Sequence, residues 1–273
     1  MLDERGWSFS TRKMRLVTVK AAHVFCLDTF NRTLLRASPD HLVAFLARSK
    51  TPRTRNTYYA ALRAFFRFAL VKGYRKTDPT ESLERVREPR YLPRPLSKRG
   101  AAAVLTRSRT VSARAWVIVS LMLYAGLRRG EVAQLTWGDV DLGTGELRVF
   151  GKGSKERIVP VSDRLGEVLA FWHVHANGAN HLFPSPVHPG RPISPQTVWR
   201  EVKAAGSSVP GTMPHRLRHS FATALVRDGR VDIRHVQELM GHASLASTQI
   251  YTEVVIEDLR PDVATLDFEG RPE

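Results

Sequence analysis

The chain has a single cysteine, Cys26, among its 273 residues. One thiol cannot form an internal disulfide, and it excludes zinc sites built from several cysteines, which is typical of proteins in a reducing compartment. The longest apolar stretch, 115–125, is too short to span a bilayer, and the first residues carry charges rather than the apolar run of a signal peptide. We therefore expect a cytoplasmic protein with no membrane partner.

Acidic residues are scarce, since 26 Asp and Glu stand against 42 Lys and Arg, and the formal net charge is +16. Residues 1–90 hold 19 basic and 8 acidic residues, a net of +11, whereas 91–273 hold 23 and 18, a net of +5. After Tyr251 seven acids stand against two bases. This distribution favours a DNA-binding front part followed by a part whose cations converge on one site. A ribosome-associated or generic basic protein is the alternative.

The front of the chain has the apolar spacing of helices. Helices are expected over 17–30, from the Ser-Pro-Asp start at 38–40, and over 54–71. A proline-rich stretch then interrupts regular structure. We predict a helical domain over 1–90 and a linker over 91–97.

The remainder, 98–273, is predicted to be a second domain of mixed content. Residues 114–125 are apolar on nearly every face, as in a core helix, and Gly126 ends that helix. Residues 147–161 have the pattern of a β-hairpin with a Gly-Lys-Gly turn. A helix over 215–228 is expected to bury Leu217, Phe221, Ala224 and Leu225. The predicted class is mainly α with a small β-sheet (α+β).

Arginines accumulate on or beside the helix predicted over 54–71, mostly off its apolar stripe: Arg53, Arg55, Arg63 and Arg67. Charges on a helix usually mark a solvated face. Because the whole segment is basic with few acids, we interpret these arginines as a surface that contacts DNA phosphates.

The last third of the chain holds residues suited to phosphodiester chemistry. Residues 215–219 read His-Arg-Leu-Arg-His, Gly-His follows at 241–242, and Tyr251 stands nine residues further on. A phenol with a pKa near 10 is a poor nucleophile at neutral pH, so its attack on phosphorus needs a base or a strong positive field. Fixed cations that meet the charge of the transition state supply that field.

Each further requirement has a candidate residue. Arg128 and Arg218 can bind phosphate oxygens bidentately without losing their charge. Lys152 in the Gly-Lys-Gly turn can protonate the leaving 5′ oxygen, His215 can accept or orient the tyrosine proton, and His242 can donate to a phosphate oxygen.

Taken singly, each of these residues has an ordinary structural explanation, such as a core tyrosine, a surface arginine or a common turn. Their order and spacing together favour the chemical interpretation. Glu131, three residues after Arg128, is expected to orient an arginine or histidine of the site without contacting the substrate itself.

These residues resemble the tyrosine recombinases, also called phage integrases, over 97–257 and more loosely before that. The resemblance is carried by segment 124–139, by the hairpin 151–160 (Gly-Lys-Gly-Ser-Lys-Glu-Arg-Ile-Val-Pro), by Leu-Phe-Pro-Ser at 182–185 and by the closing block 215–251. It implies six catalytic residues, with the tyrosine as nucleophile: Arg128, Lys152, His215, Arg218, His242 and Tyr251.

The resemblance implies a site-specific recombinase that cleaves and rejoins DNA through a 3′-phosphotyrosyl intermediate, with no metal and no other cofactor. Its fold would be a helical SAM-like core-binding domain and a catalytic domain of the DNA breaking-rejoining type, which close as a C-shaped clamp. The implied partners are double-stranded DNA with paired inverted sites, a homotetramer on that DNA and an accessory DNA-bending or directionality factor. The apolar, acidic tail after Tyr251 would dock on a neighbouring subunit, or else pack on its own domain.

Integration or excision for a phage or mobile element is the favoured role, with Xer-type resolution of chromosome or plasmid dimers as the alternative. A type IB topoisomerase is less favoured because of the two-domain layout and the Ile250-Tyr251 context. A non-catalytic DNA-binding regulator is less favoured because a pure binder needs neither Lys152 nor Tyr251. Four histidines lack acidic or cysteine partners at a metal-site spacing, so we predict no metal site there: His173, His175, His181 and His188.

Overall fold

The chain divides into two compact units, Met1–Arg90 and Tyr91–Glu273. The computed structural model describes the following residues: 7, 9–89, 94–151, 156–175, 178–227 and 233–241. Within them the protein is mostly helical with one three-stranded sheet, so the predicted α+β class is confirmed. In this part of the chain no helix has the length and apolar character needed to cross a membrane. The DNA-binding and catalytic labels of the two parts stay predictions.

The first unit contains α1 (Phe9–Phe30), α2 (Pro39–Ala47) and α3 (Pro52–Val71). Ser38 caps α2 as predicted, because its side chain accepts the backbone N–H of His41. α3 begins two residues before the predicted start, since Thr51 caps it and a proline occupies its first turn. The start of α3 thus follows the capping chemistry, whereas the apolar pattern alone placed it two residues too late.

The core of the first unit lies between these three helices. Leu42, Leu62 and Phe66 are fully buried there, beside Cys26 on α1. Burial raises the pKa of the Cys26 thiol, which disfavours the reactive thiolate. Cys26 therefore acts as a small apolar core residue.

The second unit is built around α5 (Ala113–Tyr124), whose residues 117–122 are completely buried. Its bounds lie within one residue of the predicted core helix 114–125, and among the described helices it packs against five. These are α4 (Lys98–Val111), α6 (Arg129–Gln134), α7 (Asp163–Val174), α8 (Pro195–Ala205) and α9 (Pro214–Arg227). The last described helix, α10 (Ile233–Met240), packs against α9 and the sheet.

The sheet is antiparallel in the order β1-β2-β3, with β1 (Val140–Asp141), β2 (Glu146–Phe150) and β3 (Glu156–Pro160). β2 and β3 form the predicted hairpin, whereas the two-residue β1 was not predicted because it is too short to show a pattern. Strand alternation places Arg157 on the same side of β3 as the buried Val159, facing inward. The turn that holds Lys152 lies outside the described residues.

α9 is buried on several sides. Leu217 and Phe221 are buried as predicted, but the expectation for Ala224 was wrong. Ala224 is exposed because it lines a surface groove between α9 and α4, while Thr223 beside it is buried.

The bend after α5 depends on Gly126, whose φ of 63° lies in the left-handed region. A Cβ at this position would come within 2.3 Å of the Phe221 ring. The carbonyl of Gly126 also accepts a hydrogen bond from the guanidinium of Arg218. Gly126 therefore determines the path of the chain after α5 and also provides a hydrogen-bond acceptor for the buried Arg218.

We predict that Gly126→Ala lowers the free energy of unfolding by about 2 kcal/mol or more, through the left-handed φ and the clash with Phe221. Urea denaturation of the full chain measures the change. Gly130→Ala is the matched control, because its φ is not positive and nothing lies within 4 Å of its added Cβ. Equal stability of the two variants would contradict the assignment.

Candidate active site

The site is organised around the carboxylate of Glu131, on the first turn of α6. Arg128 precedes this helix as its N-cap residue, and Glu131 Oε2 accepts the backbone N–H of Arg128 at 2.8 Å. This contact satisfies an N–H that the helix leaves without a partner. The local fold thereby fixes Arg128 and Glu131 relative to each other.

Three guanidinium groups surround this carboxylate. Arg128 Nη1 lies 2.8 Å from Glu131 Oε1, and Arg157 makes a two-pronged contact at 3.0 Å to Oε1 and 2.8 Å to Oε2. Arg218 Nη1 lies 3.8 Å from Oε2. Among the residues that the structure describes, these three cations against one carboxylate leave a formal excess of two positive charges.

Glu131 is ionised although its side chain is only 6% exposed. Burial alone would raise its pKa. The hydrogen bonds and charge of Arg157, with the N–H and guanidinium of Arg128, outweigh burial and hold the pKa of Glu131 below its ordinary value. The carboxylate therefore stays negative at neutral pH.

The same arginines bind the end of α10. Arg157 Nε donates to the carbonyl of Leu239 at 2.9 Å, Arg218 donates to that of Met240, and Arg128 Nη2 donates to that of Gly241 at 2.9 Å. The last carbonyls of a helix lack intrahelical partners and carry partial negative charge, which favours cations. Three successive carbonyls are thus each bound by a different arginine.

Four of the predicted site residues line one cleft of about 360 Å³: Arg128, Glu131, His215 and Arg218. His215 is exposed at its edge, whereas Arg218 is only 3% exposed. A surface position for Arg218 on a solvated helix face is thereby excluded. The cleft combines buried cations with an open side, an arrangement that can receive an anion such as a phosphate.

Three predicted catalytic residues, Lys152, His242 and Tyr251, lie outside the described residues. Two described neighbours indicate where the chain leads to them. Gly151 lines the cleft directly before Lys152, and Gly241, whose carbonyl binds Arg128, directly precedes His242. The roles assigned to all six residues stay predictions.

Arg157 received no role from the sequence, yet it makes the most complete contact with Glu131. The signal available was strand alternation, which puts Arg157 on the inward side with Val159. An inward arginine needs a buried acid, and the pattern does not say which one.

His219, one turn after His215, has its pKa lowered to about 4. Burial is the main cause, and the charges of His215 and Arg218 add to it. The His215 and His219 rings lie 6.2 Å apart, centroid to centroid. His219 is therefore a neutral imidazole at physiological pH.

The arginines predicted to contact DNA divide into two groups on α3. Arg53, Arg63 and Arg67 are exposed, and helical periodicity places them within about 80° of one another. Arg55 is half-buried, with its Nε buried, on the side of the core residue Phe66. The candidate surface therefore consists of the three exposed arginines, and Arg55 does not share it.

The described residues hold no group of three or more His, Cys, Asp or Glu side chains that could bind a metal ion. His173 instead contacts Trp137 edge to face, and His175 packs on Phe171.

We predict that Glu131→Gln destabilises the folded protein by about 3 kcal/mol at pH 7, because it leaves buried guanidiniums without their carboxylate. The folded pKa lies below the ordinary value of 4.5. The stabilisation is therefore complete above about pH 4.5 and disappears as pH falls through the lower folded value, where wild type and variant converge. Urea denaturation across pH measures both effects. Glu167→Gln, whose pairing with Arg164 is exposed, should change stability by less than about 0.5 kcal/mol; an equal loss there would refute this.

Comparison with known proteins identifies the family of the chain. The phage integrase family matches residues 96–257, more than half of the chain. Tyrosine recombinase XerD of Yersinia pestis is 37% identical over 256 residues, covering 86% of this chain and 83% of that protein. Tyrosine recombinase XerA of Thermococcus kodakarensis is 38% identical over 212 residues, covering 76% and 73%.

Solved structures share the fold at lower identity. XerH recombinase bound to a palindromic difH substrate superposes with a TM-score of 0.76 at 22% identity, over 96% of this chain and 81% of that one. A lambda integrase dimer bound to a COC′ core site gives 0.74 at 18% identity, over 100% and 93%. With its arginine-lined cleft and its sequence match over most of its length, this chain belongs to the phage integrase family of tyrosine recombinases.

Proposed function

We propose that this recombinase cleaves and rejoins double-stranded DNA through a covalent bond between Tyr251 and a 3′ phosphate. The observation that supports this most is the cleft in which Arg128 and Arg218 lie around Glu131, beside His215. In this proposal the cleft is the phosphate site, and Glu131 holds its cations in place before the substrate arrives.

The excess charge of the cluster matches the reaction. When the tyrosine oxygen attacks phosphorus, the phosphodiester's single negative charge grows towards two. Arg128 and Arg218 would bind the non-bridging oxygens, and the formal excess of two positive charges around Glu131 stabilises that state most. Removing one such donor reduces a rate by roughly 100- to 1000-fold in comparable sites.

The proton transfers are assigned to the remaining residues. Tyr251 forms its O–P bond while its proton passes to His215, and the P–O5′ bond breaks as Lys152 protonates the leaving oxygen. His242 donates to a phosphate oxygen. The phosphotyrosine bond conserves the energy of the broken one, so attack by another 5′ hydroxyl reverses the step without a cofactor.

We further propose that the protein acts in the cytoplasm, as a homotetramer bound to paired inverted DNA sites. Both structural relatives named above are bound to DNA. XerH is bound to a palindromic substrate, and lambda integrase is bound as a dimer to a core site. Two biological roles fit the same chemistry. Integration or excision for a mobile element fits the family, and dimer resolution fits the Xer names of the sequence relatives. The cleaved sequence distinguishes these roles once it is located beside the gene or in the chromosome.

We predict that Tyr251→Phe abolishes covalent capture of DNA. Full-length protein is incubated with nicked duplexes of random sequence, and adducts that survive SDS are isolated and sequenced, which also gives the site. Arg128→Lys should lower the capture rate about 100-fold or more, because lysine lacks the bidentate fork.

Tyr74→Phe is the matched control, since Tyr74 is exposed on the first unit, and it should form adducts like the wild type. Adducts that persist in Tyr251→Phe would refute the nucleophile. Plasmid relaxation without site preference would identify a type IB topoisomerase, and site-specific binding with no adduct on any nicked duplex would identify a regulator.

We predict that replacing Arg53, Arg63 and Arg67 by alanine weakens DNA binding at every sequence. The dependence of log K on log salt should become shallower by about one for each phosphate that is no longer bound. Fluorescence anisotropy of a labelled duplex at several salt concentrations measures the slope. The charge-matched control removes three exposed arginines of the second unit, Arg107, Arg164 and Arg200, and should keep the wild-type slope. If the slope changes equally in both triple variants, the effect comes from net charge alone, and the surface formed by Arg53, Arg63 and Arg67 is refuted.

A further inference from the structure

We propose that Arg157 is a positioning residue for DNA cleavage, joining Glu131 to the end of α10 so that both phosphate-binding arginines and the chain leading to His242 are held in one arrangement. The proposal rests on the function proposed above. Arg157 does not line the cleft itself, so it acts through the groups that it holds.

The hydrogen bonds of Arg157 use all three of its nitrogens. Nε donates to the carbonyl of Leu239, while Nη1 and Nη2 donate to the two oxygens of Glu131. The side chain is 11% exposed, so these bonds lie largely out of water. A planar guanidinium that makes three directed bonds fixes the orientation of the carboxylate as well as its position.

The first consequence reaches the phosphate-binding arginines. Each oxygen of Glu131 that Arg157 binds also accepts from Arg128, one from its guanidinium and the other from its backbone N–H. A carboxylate freed from Arg157 can rotate. Arg128 then loses its fixed direction into the cleft, and Arg218 loses the fixed position of the carboxylate oxygen that lies 3.8 Å from its Nη1. Loss of Arg157 also removes one of the two excess positive charges.

The second consequence reaches the end of α10. Arg157 binds the Leu239 carbonyl, and its side chain lies next to the place that a Cβ of Gly241 would occupy. A Cβ at Gly241 would lie 3.1 Å from Arg157 Nη1 and 3.3 Å from its Cδ. The chain leaves α10 at this glycine, one residue before His242. Arg157 therefore fixes where the following catalytic segment begins.

Lysine cannot replace this arginine. Its ammonium keeps the charge but cannot bond both carboxylate oxygens and the Leu239 carbonyl in one plane. Arg157→Lys thus separates orientation from charge, and Arg157→Gln removes the charge as well. Arg148 provides the matched control. It lies on β2 opposite the exposed Ile158 of β3, its side chain is 56% exposed, and it pairs with Glu156 at 3.0 Å on the outer face of the hairpin.

The test measures DNA affinity and single-turnover cleavage separately, on a nicked duplex carrying the sequence captured by the wild-type full-length protein. We expect Arg157→Lys to cleave about 100-fold more slowly, as displaced catalytic groups do, with a Kd within about threefold of wild type. Arg157→Gln should be at least as slow, and Arg148→Lys should match the wild type. Cleavage by Arg157→Lys within twofold of wild type, or a loss explained wholly by weaker binding, overturns the proposal.

Hydrogen exchange of the DNA-free protein supplies a readout that does not depend on cleavage. In Arg157→Lys the amides of 236–241 should exchange faster, while those of α5 keep their protection. If the wild type forms no adduct, only the proposed function is refuted. If exchange at 236–241 is unchanged in Arg157→Lys, the role of Arg157 is refuted whether or not the wild type forms an adduct. If Arg157→Lys does not fold, Gly241→Ala replaces it. Its Cβ would lie 3.1 Å from Nη1 on a backbone whose φ is 55°, so Arg157 and the end of α10 must shift relative to each other. Wild-type cleavage by that variant also overturns the proposal.

Discussion

The second unit depends on one carboxylate placed among three arginines. Arg218 is almost wholly buried, and a buried guanidinium is stable only when its charge and its N–H groups find partners. Glu131 provides the opposite charge, and the carbonyls of Gly126 and Met240 accept the hydrogen bonds that Arg218 donates. Since these acceptors come from the bend after α5 and from the end of α10, the charge cluster and the packing of the helices require each other.

This interdependence explains why the site is built from the interior outwards. A surface patch of arginines would lose much of its field to water and salt. Here the carboxylate neutralises only part of the charge, and two of the three arginines, Arg128 and Arg218, line a cleft at which His215 is exposed. Such a cluster contributes little net stability compared with an apolar core. Its presence is better explained by the chemistry of the cleft than by the stability of the fold.

Local chemistry made much of the fold predictable: serine and proline start α2, Gly126 ends the core helix, and the glycines around Lys152 indicate the hairpin. The site was predictable as a set of residue types in order. Its connections were not, because Glu131 meets Arg157 across 26 residues and Arg128 meets Gly241 across 113. Periodicity tells which side of an element is buried and does not name the partner, which is why Arg157 received no role and Ala224 was misplaced.

The two arginines proposed to bind phosphate, Arg128 and Arg218, differ in how freely they can exchange partners. Arg218 is buried and donates to two backbone carbonyls, so moving it disturbs the core. Arg128 is 35% exposed, and its Nη2 meets the carbonyl of Gly241 where solvent reaches. A phosphate oxygen carries more charge than a carbonyl and can displace it at Arg128 at the lower cost. In the proposed reaction the phosphate would therefore compete with the Gly241 carbonyl at Arg128 before any contact of Arg218 is disturbed.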